Sequence, residues 1–329
     1  MSTSLSAPVP RILFSSLSGK ASLYQSVLAQ ARAFHPEAQV VGGDSDPSCP
    51  GRASVEEFVE TPHLTDASQE AFARFCKDGG FTHLIPTRDG ELPYFAEAKE
   101  KLLAVGTNTM ISPPKTIATC LDKLLFSEKT NQLGLNAIPA FDSLDHLDDQ
   151  LDAPRVTVKE RRGSGSRNIC LDVTPEEAAK EALNLSEPIF QPHVEGHEIS
   201  ADLYVDQTGV CRGVVLRWRD QVVDGESKVT TTLRHPTWEE SIGKLAVGIG
   251  LRGHGLAQAI VAQEELQFIE INARLGGATP LSLSCGLNSI EWFLQESAGN
   301  DLKAPTPFEY PSGKRLTRDD EGRDTLTES

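Results

Sequence analysis

The first hundred residues change period repeatedly, and this alternation restricts the fold more than any other feature of the sequence. Residues 11–17 form a short apolar run ending at Ser18-Gly19, and residues 21–34 then set Leu23, Val27, Leu28 and Ala31 on one helical face. Residues 39–41 read as strand, closed by Gly42-Gly43-Asp44, and another strand starts at Phe58-Val59 before Pro62. Residues 68–77 carry Phe72 and Phe75 on a predicted helix. Residues 82–86 follow as strand, 92–103 as helix and 104–106 as a last strand. Short strands separated by full helices build βαβ units on a parallel sheet. Turn formers between Gly106 and Pro114 mark the first boundary.

A second unit begins with a predicted helix over 117–133, stopped by Gly134. Residues 142–152 hold five acids and no base, which predicts a solvated helix or loop. Strands are expected at 155–159 and 168–172, a helix at 175–182, and strands at 188–194, 198–205 and 210–218. A helix over 238–250, strands over 255–264 and 266–272 and a helix over 289–298 complete the pattern, and the polar stretch after Pro311 predicts a frayed tail.

Charge excludes several partners. The 329 residues carry a formal charge of −16, which repels nucleic acids and anionic membrane surfaces. The apolar runs are too short to span a bilayer, and residues 1–10 lack the basic-then-apolar signature of a signal peptide. Six scattered cysteines, never in CxxC, fit reduced thiols in the cytoplasm better than a disulfide frame or zinc site. The acidity is uneven, gathering in residues 56–100, 142–152 and 172–198.

Against that background one basic island stands out. Residues 155–167 carry five cations and one acid, and contain the turn Gly163-Ser164-Gly165-Ser166 directly after a strand ending in Lys159. Glycines admit backbone N–H groups close to an anion and serines add donors, so phosphate is the natural guest. A hairpin tip that binds nothing is the alternative. No GxxxxGK[ST] loop occurs, and the turn after the first strand is not GxGxxG.

Strand periodicity aligns Glu270, Asn272 and Arg274 in Glu270-Ile271-Asn272-Ala273-Arg274 on one face. Oxygen donors followed by a guanidinium suit Mg²⁺ with phosphate, and Gln258 on the preceding strand can add an oxygen across the hairpin. Between these segments, Gln191-Pro192-His193-Val194 followed by Glu198 offers extended backbone beside a carboxylate. His193 and His197 have no third nitrogen or sulfur ligand close in sequence, which favours surface or packing roles.

Together the three segments resemble the ATP-grasp superfamily, most closely its carbamoyl-phosphate-synthetase-like amino-acid ligases, from about residue 11 to residue 298. The resemblance includes Ile85-Pro86-Thr87-Arg88-Asp89-Gly90-Glu91-Leu92 and the Asp122-Lys123 pair. It implies an α/β protein: an ATP-grasp fold with an N-terminal Rossmann-like pre-ATP-grasp domain. The expected divisions are residues 1–113, a first ATP-grasp subdomain over 114–188, a second over 189–311, and a flexible tail over 312–329. It further implies that Lys123 and Lys159 contact nucleotide phosphates, that Gly163, Ser164, Gly165 and Ser166 close over the triphosphate, and that Gln191, Pro192, His193 and Val194 read adenine. Glu198 falls at the ribose-binding acid, Gln258, Glu270 and Asn272 at the metal ligands, and Arg274 at the phosphate-contacting arginine. Arg274 and Lys159 would serve catalysis, with ATP and Mg²⁺ (or Mn²⁺) as cofactors.

The implied reaction is ATP-dependent amide formation from a small carboxylate and an amine through an acyl phosphate, releasing ADP and phosphate. Kinase or carboxylase chemistry, or a non-catalytic ATP sensor, are the alternatives. Arg217, Arg219 and Glu226 lie in the region facing the acceptor in the resembled branch; Arg219 is expected to grip a substrate carboxylate, against the alternative of a surface ion pair with Glu226 or Asp220. A homodimer is the assembly the family suggests.

Overall fold

The computed structural model describes residues 9–151, 153–163, 165, 168–302 and 308–328. The N-terminal alternation folds as five strands, β1 (Arg11–Phe14), β2 (Gln39–Asp44), β3 (Phe58–Glu60), β4 (His83–Ile85) and β5 (Asn108–Thr109), all parallel in the order β3-β2-β1-β4-β5. Helices α1 (Ala21–Phe34), α2 (Gln69–Asp78) and α3 (Leu92–Ala104) connect them. A parallel sheet covered on both faces needs continuous apolar strands, and Ile12, Leu13 and Phe14 are fully buried accordingly. This is the doubly wound order, in which the chain reverses direction between β1 and β4 and leaves a crevice beyond their carboxyl ends. The strand expected at 104–106 is instead the end of α3 and a turn. Gly106 takes φ +90° there, and Thr107 N–H donates to Leu102 O, which closes the helix before β5 begins.

The helix expected at 117–133 is two helices, α4 (Pro114–Leu121) and α5 (Lys123–Gln132). Asp122 breaks them apart with φ −118° and ψ 107°, and its carboxylate accepts from Leu124 and Leu125 N–H at 3.1 and 3.3 Å. A buried capping acid thus sets Lys123 at the start of a new helix. The acidic segment forms α6 (Leu144–Gln150), capped by Ser143. Next comes an antiparallel sheet in the order β7-β6-β8, made of β6 (Val156–Glu160), β7 (Ile169–Val173) and β8 (Pro188–Pro192), with α7 (Pro175–Ala182) before β8. Because β8 pairs with β6, it runs across the 188/189 division expected from the sequence.

A seven-stranded antiparallel sheet holds the rest in the order β13-β12-β9-β10-β11-β14-β15. Its strands are β9 (His197–Val205), β10 (Cys211–Val223), β11 (Glu226–Leu233), β12 (Gly253–Ala262), β13 (Glu265–Asn272), β14 (Arg315–Arg318) and β15 (Asp324–Thr327). Helices α8 (Pro236–Gly248), α9 (Thr279–Ser284) and α10 (Ser289–Ser297) complete the chain. On β9 the odd residues Ile199, Ala201 and Leu203 enter a core with Trp238, Ile242 and Leu245 of α8. The even residues Glu198, Ser200 and Asp202 lie on the opposite, polar side of the strand, where Ser200 and Asp202 are buried and Glu198 lines the cavity described below.

The expected frayed tail is a hairpin. Leu316 is fully buried, and residues 315–317 of β14 pair with 229–231 of β11. The exposed edge of β11 supplies unpaired backbone groups that a short polar strand satisfies despite its composition. Among the described residues no helix is long and apolar enough to cross a membrane.

Candidate functional site

Strand register brings the polar residues together. Gln258 of β12 lies opposite Glu270 of β13 on one side and Ser200 of β9 on the other, and Ser200 lies opposite Arg217 of β10. The row Glu270–Gln258–Ser200–Arg217 therefore crosses four strands on one face. Two amides are tied to carboxylates: Asn272 Nδ2 donates to Glu270 Oε1 at 3.0 Å, and Gln258 Nε2 to Glu198 Oε1 at 2.9 Å. With their N–H₂ groups so engaged, the amide carbonyls of Asn272 and Gln258 are left as oxygen donors beside the Glu270 carboxylate, a hard set suited to Mg²⁺. Among the described residues no group of three or more His, Cys, Asp or Glu could hold a metal ion.

The lysines approach from the neighbouring elements. Lys159, on β6, is nearly fully buried, and burial pushes its ammonium down to about 8, with Glu270 and Glu198 opposing the shift and Lys123 adding to it. Lys123, at the start of α5, donates to Gly163 O at 2.7 Å, which ties the helix to the glycine-serine turn. Asp122 stiffens the same junction through Arg161 and Arg162 at 2.7 and 2.8 Å. Gly165 takes φ +71°, a conformation glycine adopts without strain. Ser164 and Ser166 lie outside the described residues.

At the other end of the cavity, β8 leads into the hinge. Gln191 is buried and donates to Ile138 O at 3.0 Å, so its side chain ties the strand to the segment before α6. His193 N–H is bonded to Arg155 O at 2.9 Å, and Pro192 has no N–H. Val194 N–H has no hydrogen-bond partner among the described residues, which leaves one backbone donor at the cavity wall. Gly196 then passes so close to β12 that a Cβ would sit 2.3 Å from Val261 O.

Arg274 follows β13 and reaches back to the N-terminal sheet. Its Nε and Nη2 donate to the two Asp89 oxygens at 2.7 and 2.5 Å, and both partners are mostly buried. Asp89 belongs to the resembled motif of residues 85–92 without an expected role; its place in the loop after β4, at the carboxyl edge of a parallel sheet, is the signal for one. Glu91 braces this loop, accepting from Ser15 and Ser16 hydroxyls and from Thr87 and Arg88 N–H at 2.9, 2.7, 2.5 and 2.9 Å.

The expected acceptor residues fare differently. Arg217 is 1% exposed and its Nε meets Asp202 Oδ2 at 3.0 Å. Asp202 is fully buried and also receives His254, Thr279 and Ser282 at 3.1, 2.5 and 2.6 Å. Arg217 therefore touches the cavity wall but has its charge met inside the protein, which argues against a substrate contact. Arg219 sits 3.0 Å from Glu198 and donates to Gly225 O at 3.0 Å, so the expected grip on a free carboxylate gives way to bracing Glu198. Its partner is neither Glu226 nor Asp220. Glu226 is exposed at the rim, loosely paired with Lys228 at 3.8 Å.

Every described candidate residue lines one cavity of about 1340 Å³, which also takes in Ser18, Lys20, Thr87, Arg88 and Asp89 from the N-terminal unit and Arg318, Asp320 and Gly322 from the C-terminal hairpin.

Residues 184–317 match a family described as ATP-grasp in the biosynthetic pathway with Ter operon. A search of curated proteins by sequence gives no match. Among solved structures, the biotin carboxylase domain dimer of Hydrogenobacter thermophilus 2-oxoglutarate carboxylase, in complex with MgADP, ADP and bicarbonate, superposes with TM-score 0.74 at 18% identity, over 94% of this chain and 74% of that one. N5-carboxyaminoimidazole synthetase from Staphylococcus aureus, complexed with ADP, gives 0.72 at 15% identity over 94% and 82%. L-amino acid ligase from Bacillus licheniformis gives 0.68 at 16% identity over 93% and 78%. The chain has the ATP-grasp fold.

Proposed function

We propose that this ATP-grasp chain is an ATP-dependent carboxylate–amine ligase that forms an amide or peptide-like bond and releases ADP and phosphate. The observation that carries the reading is the gathering of Lys123, Lys159, Gln258, Glu270, Asn272 and Arg274 on one cavity that Gln191–Val194 also line. A carboxylate is a poor electrophile. Transfer of the terminal phosphoryl group of ATP to its oxygen gives an acyl phosphate and ADP; the amine then attacks the carbonyl carbon, phosphate leaves, and the amine proton goes to solvent or a base.

Phosphoryl transfer asks mainly for positioning and charge neutralisation. Lys123, Lys159 and Arg274 supply positive charge around the transferred group. Val194 N–H and the neighbouring carbonyls would hold the adenine edge, and Glu198, oriented by Gln258 and Arg219, would accept from ribose hydroxyls. Glu270, Asn272 and Gln258 would hold Mg²⁺ or Mn²⁺. Such a cation screens phosphate oxygens and acts as a Lewis acid on them. One carboxylate and two amide oxygens make a hard donor set of the kind such cations take.

ADP formation by the purified protein, measured over a panel of carboxylates and amines with mass spectrometry of the products, tests the reading. ADP formation that requires both an amine and an organic carboxylate supports it; dependence on bicarbonate alone identifies carboxylation instead. Undiminished ATP consumption by Glu270→Ala would refute the assignment of the site. Like the Hydrogenobacter domain, the chain is read as a homodimer, which sedimentation analysis would test.

A further inference from the structure

We propose that Lys20 and Arg88 form a subsite for a second anionic group, so that the carboxylate substrate carries another carboxylate or a phosphate besides the group activated. This rests on the ligase reading above and extends it to the class of substrate.

Both cations line the same cavity as Arg274, and neither has a carboxylate within ion-pair distance among the described residues. Lys20 ends the turn after β1, and among the described residues its ammonium donates only to Ser16 O, at 2.7 Å. Arg88 stands in the loop after β4, exposed at the cavity. They come from the two strands that flank the crevice of the parallel sheet, the place where doubly wound sheets bind ligands.

The nearby acids are already engaged. Glu91 accepts from two serine hydroxyls and two backbone N–H groups, and Asp44 accepts from Ser18 and Asp46 N–H at 2.8 and 3.0 Å. Burial first, and the charges of Arg274 and Arg88 with it, hold the Lys20 ammonium below the ordinary lysine range, against the pull of Glu91 and Asp44. Cations crowded together in a partly desolvated wall favour an anion between them. The turn that carries Lys20 is itself strained, with Ser16 and Ser18 at φ +50° and +43°.

Arg318, a further cation of this wall, differs from both. It is bound to Asp324 at 2.7 and 2.9 Å and to Gly277 O at 2.7 Å, so it closes the wall without offering a free charge. Gly322 O accepts from Ser22 Oγ at 3.3 Å, which joins that wall to α1. Asp320 lies exposed on the same wall, a like charge that would turn an anion towards Lys20 and Arg88.

The test compares the wild type with Lys20→Met, Arg88→Met and the double variant. First, binding of succinate and of O-phosphoserine is measured by calorimetry without nucleotide, with acetate and serine as the singly charged and uncharged-side-chain controls. Second, ADP formation is followed with the same four compounds and an amine, and MgADP binding is measured separately. The expected result is selective binding of succinate or O-phosphoserine by the wild type, weakened by roughly 10- to 100-fold in the double variant as charge-assisted hydrogen bonds are lost. MgADP affinity should stay within about twofold, because neither residue belongs to the nucleotide wall. The two probes distinguish a carboxylate from a phosphate in the subsite. Equal affinity of the wild type for charged and control compounds, or equal losses for all four on mutation, would overturn the proposal while leaving the nucleotide site standing. Loss of MgADP binding by the wild type would instead count against the ligase reading, and the nucleotide-free binding arm would still decide the subsite.

Discussion

Asp89 holds Arg274 across 185 residues of sequence, and the pair gives the sharpest test of how the cavity is organised. Asp89→Asn keeps the shape of the side chain but replaces one accepting oxygen with an N–H₂ that opposes the guanidinium. One of the two bonds, 2.7 and 2.5 Å long, is lost and the other keeps the charge of its donor but loses that of its acceptor. The partners are 18% and 12% exposed, so screening is incomplete. A hydrogen bond to a charged group contributes about 1.5–3 kcal/mol, and the misorientation of Arg274 should cost roughly 2–3 kcal/mol in the transition state. That corresponds to about a 30- to 150-fold fall in kcat for ADP formation. KM for ATP should change by about twofold or less, since Lys123, Lys159 and the hinge are untouched. The assay is coupled ADP release at saturating substrates, with urea unfolding as a control for stability. A variant of wild-type stability whose kcat stays within about threefold of wild type would refute the claim that Asp89 orients Arg274 for catalysis.

Asp202→Asn should destabilise the protein by about 3–5 kcal/mol in urea unfolding, because it strands Arg217 inside the sheet; a loss under about 1 kcal/mol would contradict the buried-pair reading. Burial raises the Asp202 carboxyl, but Arg217, His254 and Ser282 outweigh it and hold it well below the usual range. Its contribution to stability is therefore complete above the unfolded pKa and lost as pH falls below that value. For Lys159, ATP affinity in calorimetry should weaken as pH rises through about 8, by up to about tenfold per pH unit, because the ammonium that meets the phosphates is then lost in the free protein. Its folding linkage runs the other way: the buried charge disfavours the folded state below about 8, and that penalty is released as pH climbs towards the unfolded value of about 10.4. Constant ATP affinity from pH 7 to about pH 9.5 would exclude the role given to Lys159. Deleting residues 312–329 should lower thermal stability and promote association, since it removes the buried Leu316 and exposes the β11 edge; an unaltered melting temperature would show that the hairpin is dispensable.

The parts of this fold that could be read from sequence are those where a single element carries its own evidence. Buried parallel strands must be apolar throughout, so the run at β1 announced itself, and a strand that shows alternate residues to one side had to align Glu270, Asn272 and Arg274. Asp122 was illegible as a helix break because each flanking segment has good helical spacing, and only its capping bonds and the arginines folded against it from residues 161 and 162 reveal its part. β11 and β14 were hidden for a related reason: their threonines, lysine and arginines satisfy a sheet edge through backbone pairing, which leaves little apolar periodicity. The arginines give the strongest form of the argument. Arg217, Arg219 and Arg274 all read as ligand-facing cations, and all three touch the cavity. Asp202 buries the first, Glu198 occupies the second, and Asp89 orients the third without covering it fully. Each partner lies on a different strand or loop and is selected by register or long-range packing. Lys20 and Arg88 differ by the absence of such a partner among the described residues, a property no local sequence window contains, because it depends on which acids the fold has already engaged elsewhere.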